Sequence, residues 1–252
     1  MINIKIDKNL KYNFDKEVIH LSNSSNFNSF FILDDNTQIE SSKLDKIKDK
    51  IQLFGFQVKV ITMEEISKMV INFLSKNLID EFDTIILLGT GGSRFFNFFE
   101  NHMIFKDKKI IKLKWSRSWI GNNSNYFETN IDEFNISEER IIIFEDVVAS
   151  GETVLNINKY LEKNDNKIVM LITCLMQETS PMNNNNFCKT IVGNVINRSN
   201  SLDLDPFWYP PIYSLRHLIY GDEEMSNFYE SLNSRYFNGK KDVENLIKEV
   251  RK

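Results

Sequence analysis

The most informative stretch of the chain is residues 140–153, RIIIFEDVVASGET. Residues 141–144 form a short, continuous apolar run, which is typical of a strand covered on both faces in a parallel sheet. Two carboxylates, Glu145 and Asp146, follow directly. Because side chains alternate along a strand, adjacent carboxylates can act together only where the strand gives way to a loop. We therefore expect the strand to end at this acidic pair.

Residues 147–153 continue as a loop of small and hydroxyl residues, and a helical pattern follows over 154–161. Such a loop at a helix N-terminus is suited to binding an anion, because free backbone N–H groups, hydroxyl donors and the positive end of the helix dipole converge there. One ligand would use both halves of the stretch, with cis hydroxyls for the acids and a phosphate for the loop. A phosphorylated ribose carries both groups.

Residues 141–153 resemble the phosphoribosyl-pyrophosphate (PRPP) motif of type I phosphoribosyltransferases. That motif has four apolar residues, two acids, two apolar residues, and then small and hydroxyl residues around a glycine; every position here fits it. The resemblance implies an α/β fold with a mostly parallel sheet flanked by helices. It also implies that Glu145 and Asp146 hold the ribose hydroxyls and help to place Mg²⁺. The 5-phosphate would be bound by Ala149, Ser150, Gly151, Glu152 and Thr153. The competing interpretation is a buried strand that ends in an ordinary capped turn.

A glycine-rich segment precedes this motif in the chain. The apolar run 84–88 leads into GTGGSR, and a helix carrying Phe95 to Met103 is expected next. In the resembled family the first core strand ends in a glycine loop whose backbone holds pyrophosphate, and glycine allows that close approach. The matching residues are Gly89, Thr90, Gly91 and Gly92. The family often has Arg or Lys inside this loop. The presence of Thr90 here leaves the side-chain part of pyrophosphate binding open.

A long polar stretch, 115–139, follows a predicted strand over 109–114. A connection of this length in a compact α/β domain is usually a lid or a binding loop. The resembled family has a mobile catalytic loop in this place, which brings basic or hydroxyl residues to the pyrophosphate. Lys114 and Arg117 are the candidates for that role. Solvated loop charges are the alternative for both residues.

The rest of the chain predicts strands alternating with helices, and hence a parallel sheet with crossover helices. Thr62 and Glu65 form a capping-box pattern at the start of one helix. The other predicted elements are strands over 30–33, 56–61, 167–176 and 190–196, and a helix over 43–53. We predict an N-terminal extension over 1–55, a phosphoribosyltransferase-like core over 56–197 and a C-terminal aromatic and helical extension over 198–252. The two extensions are expected to build a hood over the acceptor.

The sequence gives little indication of the identity of the acceptor. Trp208 and Tyr209, in the proline- and aromatic-rich segment 201–213, could stack on a base or could pack the tail onto the core. Hypoxanthine–guanine-type relatives place an acid two residues before the loop glycine, where this chain has Ala149. The motif therefore resembles the orotate and adenine branches more closely.

Composition and sequence patterns argue against a nucleic-acid-binding, membrane-spanning, secreted or cysteine-based metal-binding protein. The chain has 252 residues and a formal net charge of −4, so a broad basic surface for nucleic acid is not expected. No apolar run approaches the roughly 20 residues that span a bilayer. The polar N-terminus lacks the apolar core of a signal peptide, so a cytoplasmic location is expected. The two cysteines show no metal-binding spacing.

The sequence thus predicts a Mg²⁺-dependent transferase of nucleotide metabolism, which moves ribose 5-phosphate from PRPP to a nucleobase-like nitrogen acceptor. A regulator that binds PRPP or a nucleotide without turnover is an alternative. A specialised effector enzyme that uses the same fold on an unusual acceptor is another. The expected partners are PRPP and the acceptor, with a homodimer left open and with no membrane or nucleic acid.

Overall fold

The structure is a computed structural model that describes residues 2–5, 17–24, 29–34, 57–77, 81–120, 123–178, 180, 188–196 and 213–214. The chain divides into two compact units, one of residues 1–26 with 66–197 and the other of residues 27–65 with 198–252. The predicted extensions and the hood they would build stay predictions.

The described elements, in chain order, are β1 (Ile2–Lys5), β2 (Val18–His20), β3 (Ser29–Asp34), β4 (Gln57–Thr62), α1 (Met63–Lys76), β5 (Thr84–Leu88), α2 (Gly89–Phe96), β6 (Lys109–Leu113), β7 (Trp115–Ile120), β8 (Asn123–Thr129), a 3-10 turn (Ile131–Glu133), β9 (Arg140–Val148), α3 (Glu152–Leu161), a second 3-10 turn (Glu162–Asn164), β10 (Lys167–Gln177), β11 (Lys189–Ile196) and β12 (Tyr213–Ser214). The predicted strands over 84–88, 109–114, 167–176 and 190–196 are all confirmed.

A six-stranded parallel sheet forms the centre of the first unit. Its strand order is β2-β11-β10-β9-β5-β6, and every neighbouring pair is parallel. The α/β class with a mostly parallel sheet is therefore confirmed. The edge strand β2 was not predicted, because three residues are too few to show a periodic pattern.

The central strand β9 is covered on both faces of this sheet. Ile143 belongs to the apolar core that includes Leu155 and Ile157 of α3. Phe144, which points the other way, packs edge-on against Phe96 of α2 with ring centroids 4.9 Å apart. This double cover explains why β9 begins as an unbroken apolar run.

The segment expected to form a long loop over 115–139 contains a β-hairpin, so the predicted loop conformation is wrong, while its role as a lid or binding segment stays a prediction. β7 and β8 pair antiparallel, and β1 adds to β8 to give a three-stranded sheet. An antiparallel sheet can leave one face in water, so its strands need few apolar residues. The sequence does carry a hairpin signal, since only Gly121 and Asn122 stand between the two strands.

The second unit contains a parallel sheet of order β12-β3-β4. The predicted strands over 30–33 and 56–61 are confirmed as β3 and β4. Thr62 caps the helix that follows, because its Oγ1 accepts the Glu65 backbone N–H at 3.1 Å. The predicted helix over 43–53 lies outside the described residues. None of the helices that the structure describes is long and apolar enough to cross a membrane.

We predict that Gly193→Ala destabilises the chain by about 1–3 kcal/mol. A Cβ at Gly193 would collide with the buried Ile66 side chain of α1 and approach the Cys174 carbonyl oxygen to 2.8 Å. Urea unfolding measures the change. Ile66→Ala removes the colliding group, so the double variant should cost less than the two single costs added together. Additive costs would contradict this packing.

Candidate functional site

The strand order reverses beside β5. The chain passes from β5 outward to its neighbour β6, and then returns to β9 on the other side of β5. In open α/β sheets such a reversal leaves a crevice at the carboxyl ends of the strands, where ligands bind. The pairing of β5 with β9 ends at Leu87 and Phe144, while β9 stays paired with β10 as far as Val148. The side of β9 that faces β5 is therefore unpaired from Glu145 onward.

The strand does not end at the acidic pair as the sequence analysis expects. β9 runs through Glu145 and Asp146 to Val148, because β10 supplies a partner along that whole length. Alternation directs the two carboxylates toward opposite faces of the sheet. Both nevertheless line one cavity, because that cavity lies at the unpaired edge of the strand.

The GTGG segment forms the first turn of α2, so the prediction of a loop over Gly89 to Gly92 is wrong. Gly89 has a φ of 58°, which only glycine adopts freely, and it lets the helix begin directly at the end of β5. A Cβ on Gly91 would overlap the Asp146 carboxylate, and a Cβ on Gly92 would overlap the Phe144 carbonyl oxygen. These two glycines therefore allow α2 to begin in contact with the acidic strand. The N-cap residue, Leu88, gives the first-turn N–H groups no side-chain cap.

A cavity of 590 Å³ lies between the first turn of α2, the acidic pair and the end of β6. It brings together most of the residues predicted to bind pyrophosphate and the ribose hydroxyls. Ser93 and Lys112 also line it, and neither was a candidate. The residues that line the cavity are Leu88, Gly89, Thr90, Gly91, Ser93, Lys112, Leu113, Lys114, Glu145 and Asp146.

The two carboxylates differ in environment. Glu145 is only 5% exposed, and burial, reinforced by the adjacent Asp146 charge, raises its pKa well above its ordinary value of 4.5. The Asp146 backbone N–H donates to Glu145 Oε1 at 3.1 Å, and the Val147 N–H donates to Asp146 Oδ1 at 2.8 Å. The pair therefore favours one negative charge over two.

Two lysines bring positive charge to the cavity from β6 and its end. Lys112 and Lys114 are both exposed. The Lys114 backbone N–H donates to Asn130 Oδ1 at 2.8 Å, which ties the end of β6 to the segment after β8. Within the described part of the chain, neither ammonium group has a carboxylate or carbonyl partner. The cavity can therefore accept an anionic ligand.

The predicted 5-phosphate loop follows the acids at the carboxyl end of β9. Its helix, predicted over 154–161, begins slightly earlier as α3, so Glu152 and Thr153 lie in the first turn. Gly151 precedes the helix with a φ of 76°, and Ser150 Oγ accepts the Glu152 backbone N–H at 3.4 Å. Residues 149–153 are not among those that line the 590 Å³ cavity. The acids thus line the cavity, and a second helix N-terminus follows them in the chain.

For three of the candidates the structure does not test the predicted role. Arg117 lies on β7, on a hairpin rather than on the expected loop. The proposed base-stacking residues, Trp208 and Tyr209, lie outside the described residues. Their roles stay predictions.

Comparisons with known proteins find similarity at the level of structure. The chain is similar to a hypoxanthine phosphoribosyltransferase from Staphylococcus aureus, with 18% identity, a TM-score of 0.43, and coverage of 64% of this chain and 90% of that one. It is similar to an adenine phosphoribosyltransferase from Thermoanaerobacter pseudethanolicus, with 13% identity, a TM-score of 0.41, and coverage of 51% and 80%. An orotate phosphoribosyltransferase from Mycobacterium tuberculosis, solved with PRPP, shows 10% identity, a TM-score of 0.35, and coverage of 53% and 72%.

No protein-family model matches the sequence, and no curated protein matches it. The structural neighbours named above are phosphoribosyltransferases, as the motif led us to expect. At these identities and TM-scores the similarity does not define an activity, which has to be argued from the site itself.

We predict that Glu145→Gln raises the melting temperature at neutral pH by a few degrees. Below the ordinary glutamate pKa, the folded and unfolded chains both hold this carboxyl protonated, so its raised pKa costs nothing. As the pH rises, the Glu145 carboxyl ionises first in the unfolded chain. The free energy of unfolding of the wild type therefore falls until the pH has passed the raised pKa of the folded chain. Glutamine stays neutral and escapes that loss. Melting curves between pH 4 and 8 measure the effect.

The matched control is Glu100→Gln, at an exposed position. It should reproduce the wild-type dependence of melting temperature on pH. A Glu145→Gln variant that also followed the wild-type dependence would show that Glu145 ionises freely in the folded chain.

Proposed function

We propose that this chain is a phosphoribosyltransferase, which transfers ribose 5-phosphate from PRPP to a nucleobase-like nitrogen acceptor and releases pyrophosphate. The observation that carries the proposal is the convergence of unlike groups at one sheet edge. Two carboxylates, uncapped backbone N–H groups of α2 and two lysines line one cavity, and a second helix N-terminus follows the carboxylates directly. A ligand with hydroxyls, a monophosphate and a diphosphate would use all of them.

The donor would bind across the carboxyl end of β9. Asp146 and Glu145 would hold the ribose hydroxyls. A carboxylate only accepts hydrogen bonds, whereas a protonated Glu145, which its raised pKa favours, can also donate one. The 5-phosphate would accept hydrogen bonds from the loop over 149–153 and the first turn of α3. The diphosphate would face the first turn of α2.

The residues present fit a Mg²⁺ ion that enters with the donor. Among the described residues no group of three or more His, Cys, Asp or Glu side chains could hold a metal by itself. Mg²⁺ is commonly bound by one or two carboxylates together with substrate phosphates and water, which suits a pair of acids beside a diphosphate site. Both carboxylates are candidate ligands, and Asp146 is the more accessible of the two because Glu145 is buried. When bound, Mg²⁺ supplies positive charge that neutralises the diphosphate.

In the reaction, the bond between C1 of the ribose and the diphosphate oxygen breaks, and a bond from C1 to the acceptor nitrogen forms. The diphosphate leaves with the electron pair of the broken bond, and the acceptor loses a proton. The contribution of the chain is to position the ribose through its hydroxyls and to stabilise the charge on the departing diphosphate. The N–H groups of α2 and the cavity lysines would supply that stabilisation.

We predict that Asp146→Asn lowers kcat/KM for pyrophosphate release from PRPP by about 100-fold or more, the range for losing a charge-stabilising group. Asparagine keeps the shape beside Gly91 and removes the charge. The assay follows pyrophosphate release from PRPP with Mg²⁺ against a panel of nucleobases. Asp107→Asn is the matched control, since that exposed residue precedes the amino end of β6 and has a φ of 62°, which asparagine tolerates.

Full activity of Asp146→Asn would show that the acidic pair is not part of the site. Binding of PRPP with no pyrophosphate release for any acceptor would instead assign the chain as a PRPP-binding regulator. Equal loss in both Asp→Asn variants would point to a general defect in the preparation.

A further inference from the structure

The two sheets of the first unit are joined in the chain at Lys114. The pairing of β6 with β5 ends at Leu113, and the pairing of β7 with β8 begins at Trp115, so Lys114 is the single residue between the two strands. A backbone N–H at such a junction needs a partner outside the ladders of either sheet. The placement of this residue matters to the site, because the exposed Lys114 side chain lines the 590 Å³ cavity.

Asn130 supplies the partner. It directly follows β8, whose last residue, Thr129, pairs with Trp115. Asn130 Oδ1 accepts the Lys114 backbone N–H at 2.8 Å, and Asn130 Nδ2 donates to Glu133 Oε2 at 3.2 Å. A backbone N–H can only donate and a carboxylate can only accept, so the two partners together determine which end of the amide faces which.

Asn130 is itself held firmly on its own side of the junction. The residue is only 5% exposed, and its carbonyl oxygen accepts the Glu133 backbone N–H at 3.0 Å, which closes the 3-10 turn. The next residue, Ile131, is buried in the apolar core that also includes Ile157 of α3. The amide therefore ties Lys114 to a part of the chain that is anchored in the core.

We propose that Asn130 is a positioning residue of the site, because its amide fixes the backbone of Lys114 at the edge of the cavity and so sets where that lysine meets the donor. The inference rests on the proposed function for the identity of the donor. Asn130 acts through Lys114 and does not contact the donor itself. A lysine whose backbone is already fixed has less freedom to lose when the donor binds, so the affinity is higher.

A buried amide also has a purely structural use, which is to pair with backbone groups and stabilise the fold. That use predicts a lower melting temperature for a truncated amide. It predicts no dependence of donor affinity on Lys114. A double-mutant cycle between Asn130 and Lys114 therefore separates the two roles.

The experiment is calorimetric titration of the full chain with PRPP and Mg²⁺ in the absence of an acceptor, with every variant held below its melting temperature. We expect Asn130→Ala to weaken binding by about 3- to 10-fold, the change that corresponds to the free energy of one hydrogen bond. In a Lys114→Ala background the same substitution should have no measurable further effect, because the side chain that Asn130 positions is gone.

The matched control is Asn166→Ala. Asn166 is another buried amide, which accepts the Glu139 backbone N–H at 3.0 Å and donates to the carbonyl oxygens of Ile136 and Leu161. It directly precedes the amino end of β10, whereas the cavity lies at the carboxyl ends of the strands. Asn166→Ala should lower the melting temperature and bind PRPP like the wild type.

An exchange of donor and acceptor gives a second test. Asn130→Asp alone places two carboxylates opposite each other, so it should weaken PRPP binding as Asn130→Ala does. Adding Glu133→Gln restores a donor beside an acceptor, keeps an oxygen for the Lys114 N–H and returns the net charge to that of the wild type. The double variant should recover most of the affinity. A double variant that binds PRPP no more tightly than Asn130→Asp would overturn the inference.

Unchanged affinity in Asn130→Ala, equal losses from Asn130→Ala in the wild-type and Lys114→Ala backgrounds, or failure of the wild-type chain to bind PRPP would also overturn the inference. Transfer by the wild-type chain without coupling between Asn130 and Lys114 would contradict the inference alone. Coupled losses of PRPP affinity, in a chain that releases no pyrophosphate with any acceptor, would support the inference and contradict the proposed transfer reaction.

Discussion

The site depends on one close contact, between the first turn of α2 and the acidic end of β9. Gly91 lies against the Asp146 carboxylate and Gly92 against the Phe144 carbonyl oxygen, at distances that leave no room for a Cβ. Any other residue at either position would move the helix away from the strand. The contact places a carboxylate beside uncapped helix N–H groups, and the cavity opens where these elements diverge toward β6. The glycines therefore have a second use besides the close approach of phosphates, which is to hold the protein's own acid in place.

Much of the fold could be predicted because the apolar runs are unambiguous. A continuous run such as 141–144 requires cover on both faces, and the helical periods between such runs require crossover connections. The candidate site was expected from the same pattern, since Glu145 and Asp146 follow a buried apolar run near the carboxyl end of β9, and Gly89 follows the neighbouring strand β5. The carboxyl ends of parallel neighbours meet at one edge, and these residues do line one cavity.

The differences between the predicted and the observed elements have identifiable physical causes. The length of β9 beyond its apolar run is set by pairing with β10, which is a contact remote in sequence. The hairpin of β7 and β8 has no continuous apolar run and carries many polar residues, so its composition resembles that of a loop. Nothing in the local sequence distinguishes Lys112 from other lysines on strands. The register of the sheet places it in the row of Phe144, on the face with α2. Residues whose role depends on register or on remote packing are not marked by local pattern.

The central claim is that the acidic strand and the first turn of α2 form one site for PRPP. A crystal structure of the chain grown with PRPP and Mg²⁺ tests it most directly. We expect the diphosphate against Gly89 to Gly92, the ribose hydroxyls on Glu145 and Asp146, and the 5-phosphate at residues 149–153. PRPP bound elsewhere on the chain, or bound with its ribose away from Glu145 and Asp146, would contradict the claim.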